Sequence, residues 1–464
     1  MRLAFVYPPQ EACPAFFPKR VAAQDSREGQ VLPPLGIAYL AAILEKSHKV
    51  KILDVNALRM DQNEVIGHLR LFRPDILMFS LVSTNFQSNL RWIKEIKKEI
   101  QVPVIVGGIQ ATFYPKEILT YECIDVCVIG DAWETLPELV GRMEEHSDLK
   151  EVNGIAYKIN GDILTTAARQ SAVNIDDVPF PARNLLPNEK YTTILSKRRP
   201  ITAMMSSTGC PFHCIHCSSG HKVIFRNPFK VVDEMDECVH KYGIKEILFY
   251  DEIFSLDKGR VRVICEEILR RKLDVKWTIR TSANLVDEDL IMLFAKAGCI
   301  RINYGVESAE PIILDRLRKN ISLEAVRNAV RWTKKFKIDA LGFFMLGSPG
   351  ETLGSIRKTI QFAKDLNFDF VQFTKVAPLP HTELYGMMQE ATGKDFWREY
   401  TLGKEDLNNL MSIGTQVTLD ELNFWIKKAY QDFYFRPGYI LKTLMKVNSY
   451  AELRHLMHSA WSLR

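Results

Sequence analysis

Three cysteines crowd into one short stretch, Cys210-Pro211-Phe212-His213-Cys214-Ile215-His216-Cys217, with the spacing C-x3-C-x2-C. Three thiolates on one tight loop can each take one iron of a 4Fe-4S cubane, which leaves the fourth iron open for another ligand. A structural zinc ion asks instead for a closed set of four. No fourth cysteine or paired histidine stands at zinc-finger spacing, and His213 and His216 lie inside the same loop, where their geometry is poor. The motif therefore points to an iron-sulfur cluster held by Cys210, Cys214 and Cys217.

Such a loop needs a rigid strand end to hold it. The motif directly follows Ile201–Ser206, the first of several apolar runs that alternate with helical patterns. The others are Ile247–Tyr250, Val275–Arg280, Ile300–Val306, Ala340–Leu346 and Phe370–Val376, with helices such as Ser322–Lys337 and Leu353–Leu366 between them. These parallel units are too few for a closed eight-stranded barrel. They predict a partial (β/α)6 barrel over residues 201–402, with its chemistry at the carboxyl ends of the strands.

Residues 1–150 carry a separate alternation, with runs at Leu3–Tyr7, Val50–Val55, Ile76–Leu81, Val102–Val106 and Val126–Ile129 and amphipathic stretches such as Phe86–Ile100 and Trp133–Met143. That pattern predicts a Rossmann-like, doubly wound parallel sheet whose ligand crevice lies beyond the strand carboxyl ends. Asn153–Thr166 reads as a β-hairpin turning at Asn160-Gly161. Asp176–Pro187, rich in Pro and Asp, reads as a linker, so residues 151–200 are taken as hairpin and linker. From 403 to 464 the pattern is helical, basic and aromatic. The fold class is thus α/β, with a C-terminal helical region.

Composition excludes several functions. Of 464 residues, 47% are hydrophobic and the net charge is only +5, so nothing asks for nucleic acid. No apolar run approaches the ~20 residues of a membrane span, and Met1–Pro9 lacks the features of a signal peptide, which predicts a cytoplasmic protein. Nine cysteines are too sparse for a disulfide scaffold. Cys123 and Cys127 read as core thiols, as do Cys238, Cys265 and Cys299.

With these residues in view, the chain resembles the radical S-adenosylmethionine (SAM) superfamily, in the class that carries an N-terminal cobalamin-binding domain. The resemblance covers about residues 1–440. It implies that the open iron chelates SAM and that an electron from the reduced cluster cleaves it to a 5'-deoxyadenosyl radical. Where the family has an aromatic residue before the third cysteine, this chain has His216. The resemblance assigns Asp251 and Glu252 to the SAM ammonium, against the alternative of a solvated turn. It assigns Gly305, Glu307 and Ser308 to the SAM ribose, and Arg280 to the SAM carboxylate or to a pair within the barrel. Phe344–Thr352 resembles a Gly-x-Pro-Gly-Glu-Thr turn that either shapes an adenine pocket or is purely structural.

In the first domain, Leu32–Leu40 and Val104–Thr112 resemble cobalamin-domain segments. Gly107 and Gly108 would let backbone approach a large flat ligand, with the hydroxyls of Ser80, Ser83 and Thr84 facing the same crevice. Gln110 stands where relatives often have His. Gly130 and Glu134 stand where the family tends to have a Gly-Glu-x-Glu run. No Asp-x-His-x-x-Gly motif occurs, so no histidine is evident as a lower axial cobalt ligand.

The leading expectation is a methyltransferase, in which cobalamin delivers a methyl to a carbon radical on a small or lipid-like substrate. The alternatives are an oxidative cyclase resembling the anaerobic magnesium-protoporphyrin monomethyl ester cyclase, and a cobalamin or iron-sulfur sensor without turnover. A reductant such as flavodoxin or ferredoxin is implied. The segment Tyr430–Pro437 suits a roof over an apolar substrate, peripheral contact with a membrane, or plain aromatic packing against the barrel.

Overall fold

A computed structural model of the chain describes residues 1–10, 13, 16, 30–170, 173–220, 222–410 and 413–444. The part of the basic aromatic tail beyond residue 444 lies outside the described residues. The chain divides into two compact units: Met1–Glu11, Val31–Thr193 and Asp395–Leu407 form one, and Ala12–Gln30, Ile194–Lys394 and Asn408–Arg464 form the other.

The first unit is built on a seven-stranded sheet. Its parallel strands run in the spatial order Lys49–Asp54, Arg2–Tyr7, Ile76–Ser80, Val104–Gly107 and Val126–Val128. Because the order reverses after the first two, right-handed crossovers send helices to both faces, which is the doubly wound arrangement. The hairpin forms at Ile155–Ile159 and Asp162–Thr165, with Asn160 and Gly161 both in the left-handed region (φ 50° and 89°) that its tight turn needs. It extends the sheet antiparallel to Val126–Val128.

Two segments depart from the sequence-based division. The stretch read as a linker packs on the first unit, burying Ile175, Ala182, Arg183 and Leu186. Ala182 N donates to Ala38 O (2.9 Å), and the Tyr191 hydroxyl donates to buried Asp54 (2.9 Å). Loss of water pushes the Asp54 carboxyl up to about 6, against the bonds from Ala57 N and Tyr191. Residues 395–407, read as the end of the barrel and the start of the tail, also join the first unit. The helix Phe396–Thr401 buries Phe396, Trp397 and Tyr400 there. Tyr121 OH donates to Thr401 O (2.7 Å), Gln87 Nε2 donates to Tyr400 O (2.6 Å), and Arg398 pairs with Glu117 (2.9 Å).

The second unit holds a six-stranded parallel sheet whose spatial order equals its chain order: Ile201–Met204, Glu246–Phe249, Lys276–Thr281, Cys299–Glu307, Asp339–Leu346 and Phe370–Lys375. Strands added always on the same side keep their helices on one face, so the sheet curls into a partial barrel. Outside it lie Pro228–His240, Lys258–Arg271, Glu288–Lys296, Leu323–Lys335, Leu353–Asp365 and Leu419–Tyr434. Trp277 anchors the layer between sheet and helices, with its ring 5.6–6.1 Å from those of Phe249, Phe254 and Phe294. Its indole N–H donates to Ala297 O (2.8 Å). Tyr430 packs edge-on against Phe373 (5.7 Å) and donates to its carbonyl, so this part of the aromatic tail is core of the second unit. No helix among the described residues is long and apolar enough to cross a membrane.

Candidate functional site

The cysteine loop is tied off at both ends. Ser207–Thr208 pairs antiparallel with Ile224–Phe225, and Cys210 N donates to Gly220 O (2.8 Å). Gly209 (φ 82°) makes the crossing possible, since a Cβ there would lie 2.1 Å from Lys222 O. Beneath the loop lies a buried polar brace. Asp251, at 0% exposure, accepts from Ser206 N (2.7 Å), Ser206 Oγ (2.5 Å) and Ser207 Oγ (2.6 Å). Arg226 pairs with Glu234 (2.5 Å) and donates to Met205 O, while Arg260 donates to the carbonyls of Ser206 and Arg226. Asp251 is thereby committed to holding the strand end ahead of the cysteines.

The middle of the loop is pinned from later in the chain. Ile215 is buried with Ile313, Leu317, Val376 and Leu384. Its N–H donates to Leu317 O (3.2 Å), and its carbonyl accepts from Leu384 N (2.9 Å). Cys210 and Cys214 are half-buried and Cys217 is exposed. Burial pushes the Cys210 and Cys214 thiols up, and the Lys319 ammonium pulls both the other way. Among the described residues no three His, Cys, Asp or Glu side chains converge as a single metal ion would require. Three thiols on one loop match in number the three irons of a cubane that leaves its fourth iron open.

Several strand-end groups gather around this loop. Loss of water holds the Glu252 carboxyl above the usual range, opposed by the Gly209 N–H and by Arg280. Arg280 lies over the Tyr250 ring (5.6 Å), and burial pushes that phenol up to about 12. Glu307, 8% exposed, accepts from Lys319 Nζ at 2.9 Å. Gly305 makes room for the pair, since a Cβ there would meet Glu307 Oε1 at 2.7 Å and Lys319 Nζ at 2.9 Å. His216 keeps a buried Nδ1 without a hydrogen bond, and burial lowers its imidazole.

Other predicted residues are turned to structure. Ser308 is fully buried, with its hydroxyl 3.3 Å from Thr359 Oγ1 and accepting from Glu310 N (3.2 Å). In the turn after the fifth strand, Glu351 accepts from Gly347 N (2.6 Å) and Ser348 N (3.0 Å), which is a structural closure. Burial raises its carboxyl to about 7.

Sequence reasoning missed Lys319, because a run of Arg and Lys after a short helix looks like a solvated face. It also missed Asn303, whose register partner is Arg280 and whose Oδ1 is buried without a partner. The signal for Asn303 was its place two residues before Gly305 on the same strand face.

In the first unit, the carboxyl ends of the middle strands form a neutral rim. Leu81 N donates to Gly107 O (2.8 Å) and Gln110 N to Leu81 O (3.2 Å). Gly108 (φ 91°) lies so close that a Cβ would sit 2.7 Å from Leu81 O and 3.1 Å from Ser80 Oγ. Gln110, 0% exposed, donates through Nε2 to Thr401 Oγ1 (2.5 Å), leaving Oε1 buried and unpartnered. The buried Ser83 hydroxyl also lacks a partner, as do both amide atoms of Asn89. Thr84 is half-buried in the same single turn, Ser83–Asn85. Gly130 N donates to Thr112 Oγ1 (3.0 Å), and Glu134 is exposed in the first turn of Ala132–Glu144. Unpartnered hydroxyl and amide groups beside glycine backbone fit a large polar ligand that supplies the missing hydrogen bonds.

Comparison with known proteins gives two family matches, the B12 binding domain over residues 27–140 and the radical SAM superfamily over residues 204–363. Over 461 residues the chain is 34% identical to an uncharacterized methyltransferase of Pyrococcus horikoshii, covering 96% of this chain and 95% of the relative. It is 27% identical over 421 residues to the anaerobic magnesium-protoporphyrin IX monomethyl ester cyclase of Rubrivivax gelatinosus, covering 87% of this chain and 75% of that one. Among solved structures its fold matches OxsB, described as a cobalamin-dependent S-adenosylmethionine radical enzyme with aqua-cobalamin and S-adenosylmethionine bound. The TM-score is 0.74 at 20% identity, over 100% of this chain and 71% of that one.

Proposed function

Since the chain belongs to the radical SAM superfamily, in the branch that joins a B12-binding domain to the barrel, we propose that it methylates an unactivated carbon of a small or lipid-like molecule. The observation that carries this reading is the grouping of Glu252, Glu307 and Lys319 with Cys210 and Cys214, and of Arg280 with Glu252, at the carboxyl-end face of the barrel. When bound, the cluster and cobalamin supply an electron to cleave SAM and a methyl group to transfer.

The chain's own residues do the positioning. Cys210, Cys214 and Cys217 would hold the cluster, as thiolates that the Lys319 ammonium favours. Glu252 offers a carboxylate to an ammonium and Arg280 a guanidinium to a carboxylate, which together match an amino-acid head group. The buried amide of Asn303 offers a further polar contact on the same wall. In the first unit, Ser83 and Gln110 present the hydroxyl and amide that cobalamin would satisfy, and Gly108 lets the turn ahead of Gln110 pack directly on the Leu81 backbone. A low-potential donor of flavodoxin or ferredoxin type would supply electrons.

Methyl-labelled SAM tests the reading. Each methylated product should appear with one S-adenosylhomocysteine, from the SAM that gave its methyl, and one 5'-deoxyadenosine, from the SAM that was cleaved. The relative of Rubrivivax gelatinosus favours cyclisation as a second reading. Label absent from the product, with deoxyadenosine formed in full, would transfer the conclusion to it. A protein that makes no 5'-deoxyadenosine with SAM and reductant is not an enzyme of this kind.

A further inference from the structure

Lys319 reaches the cysteine loop by an unusual local route. Arg318 adopts a left-handed backbone (φ 50°), and Lys319 N folds back to Leu314 O (2.8 Å). The Arg318 side chain goes outward to a bidentate pair with Glu383 (2.6 and 2.7 Å), while that of Lys319 goes inward to Glu307. The same turn holds the loop itself, since Leu317 O accepts from Ile215 N (3.2 Å), and it sets the Arg318 carbonyl 3.7 Å from the Cys214 sulfur.

Glu307 is as constrained as its partner. It sits at φ 68°, in a region that disfavours a side chain, where the register between neighbouring strands slips after Gly305. A buried ion pair contributes little net stability against the cost of desolvating both charges. Backbone strain of this size, held in place for such a pair, points to a task beyond folding.

We propose that the Glu307–Lys319 pair sets the reduction potential of the cluster on Cys210, Cys214 and Cys217, with the ammonium raising it and the carboxylate moderating that effect. The inference rests on the cluster reading given above. Reduction adds one electron, drawn from a low-potential donor, and lowers the cluster charge by one. A fixed positive charge next to two ligating sulfurs stabilises that more negative state, and a fixed negative charge opposes it. Removal of both charges therefore largely cancels.

The test is an anaerobic titration of reconstituted protein without SAM, using titanium(III) citrate and following the paramagnetic signal of the reduced cluster. Lys319→Met should be harder to reduce than wild type and Glu307→Gln easier, with Lys319→Arg close to wild type. The double variant should fall between the single ones. Packing alone would give no opposite pair of shifts. Clusters with full iron and sulfide content but unmoved midpoints, or single variants shifting in the same direction, overturn the inference and leave the functional reading intact. Should Lys319→Met fail to assemble a cluster, Glu307→Gln decides, because an unchanged midpoint there is equally fatal. Wild-type protein that takes up no iron or sulfide overturns both.

Discussion

Both units end their parallel strands in a polar rim, but the rims are made of different material. Around the cysteine loop it is charged: Asp251, Glu234, Arg226, Arg260, Glu307 and Lys319 are all largely buried, and each has an ionic or backbone partner. In the first unit the rim is neutral, built from Ser80, Ser83, Gly107, Gly108, Gln110 and Thr401, with Asp54 as the charged exception that pins a returning segment. A rim that must hold thiolates and pass an electron has use for fixed charges. A rim that cradles a large ligand does better with backbone, hydroxyls and amides, which need no counter-ion when the site is empty.

The largest test of that contrast removes the proposed metal ligands. Replacing Cys210, Cys214 and Cys217 with Ala should take iron and sulfide from about four each per chain to background. Cobalamin binding should persist, as its proposed rim lies in the other unit. Unchanged iron content would break the central assignment.

Next in size is the brace. Asp251→Ala leaves three donors of Ser206 and Ser207 without their acceptor and should cost about 3 kcal/mol in denaturant unfolding, with loss of cluster retention. Loss of SAM affinity at full stability and full iron content would return Asp251 to a ligand role.

Charge should also make the barrel sensitive to pH. Glu351 is raised by burial from 4.5 to about 7, so between those values the native chain holds a proton that the unfolded chain has released. Its contribution is therefore fully present below 4.5, declines as pH rises to 7, and is flat above, with a span of about 3 kcal/mol. Glu351→Gln, whose amide oxygen can still accept from Gly347 N and Ser348 N, should flatten that part of the unfolding profile. A slope equal to wild type would count against the buried carboxyl.

The smallest effect lies in the neutral rim. Ser83→Ala removes a hydroxyl that has no partner, so it should leave the cobalamin-free protein as stable or up to about 1 kcal/mol more so. Cobalamin affinity should meanwhile fall about threefold to tenfold by equilibrium dialysis. Lost stability without lost affinity would mean that the hydroxyl serves the fold.

Much of this was legible in the chain. The cysteine spacing is one that offers three thiolates to a cubane from a single loop, and apolar runs of strand length separated by helical patterns leave few topologies once right-handed crossover is required. Asn160-Gly161 announced its hairpin because only such residues accept two left-handed positions in succession. What could not be read was where strand-end side chains point. Asp251 and Glu252 are neighbours, yet one braces the loop and the other meets Gly209 and Arg280, because both lie past the end of the strand Glu246–Phe249, where no regular period fixes the direction of a side chain. Ser308 turns to Thr359 because the chain bulges at Glu307, and Lys319 turns inward because Arg318 is left-handed. Neither conformation has a signature in residue type. The helix Phe396–Thr401 would look the same whichever core it packed on.

That helix bears on how the protein is made. A ribosome releases the chain from its amino end, and independent domains ordinarily finish folding as they emerge. Here the amino-terminal sheet waits for Trp397 and Thr401, delivered only after all six barrel strands have been translated. Until then Gln110, Gln87 and Tyr121 lack their final partners, and the nascent first unit carries an uncovered apolar seat. A gene cut after Thr193 should consequently yield a sticky, chaperone-bound fragment, and co-expressed residues 395–407 should restore its solubility only if they can be captured in trans.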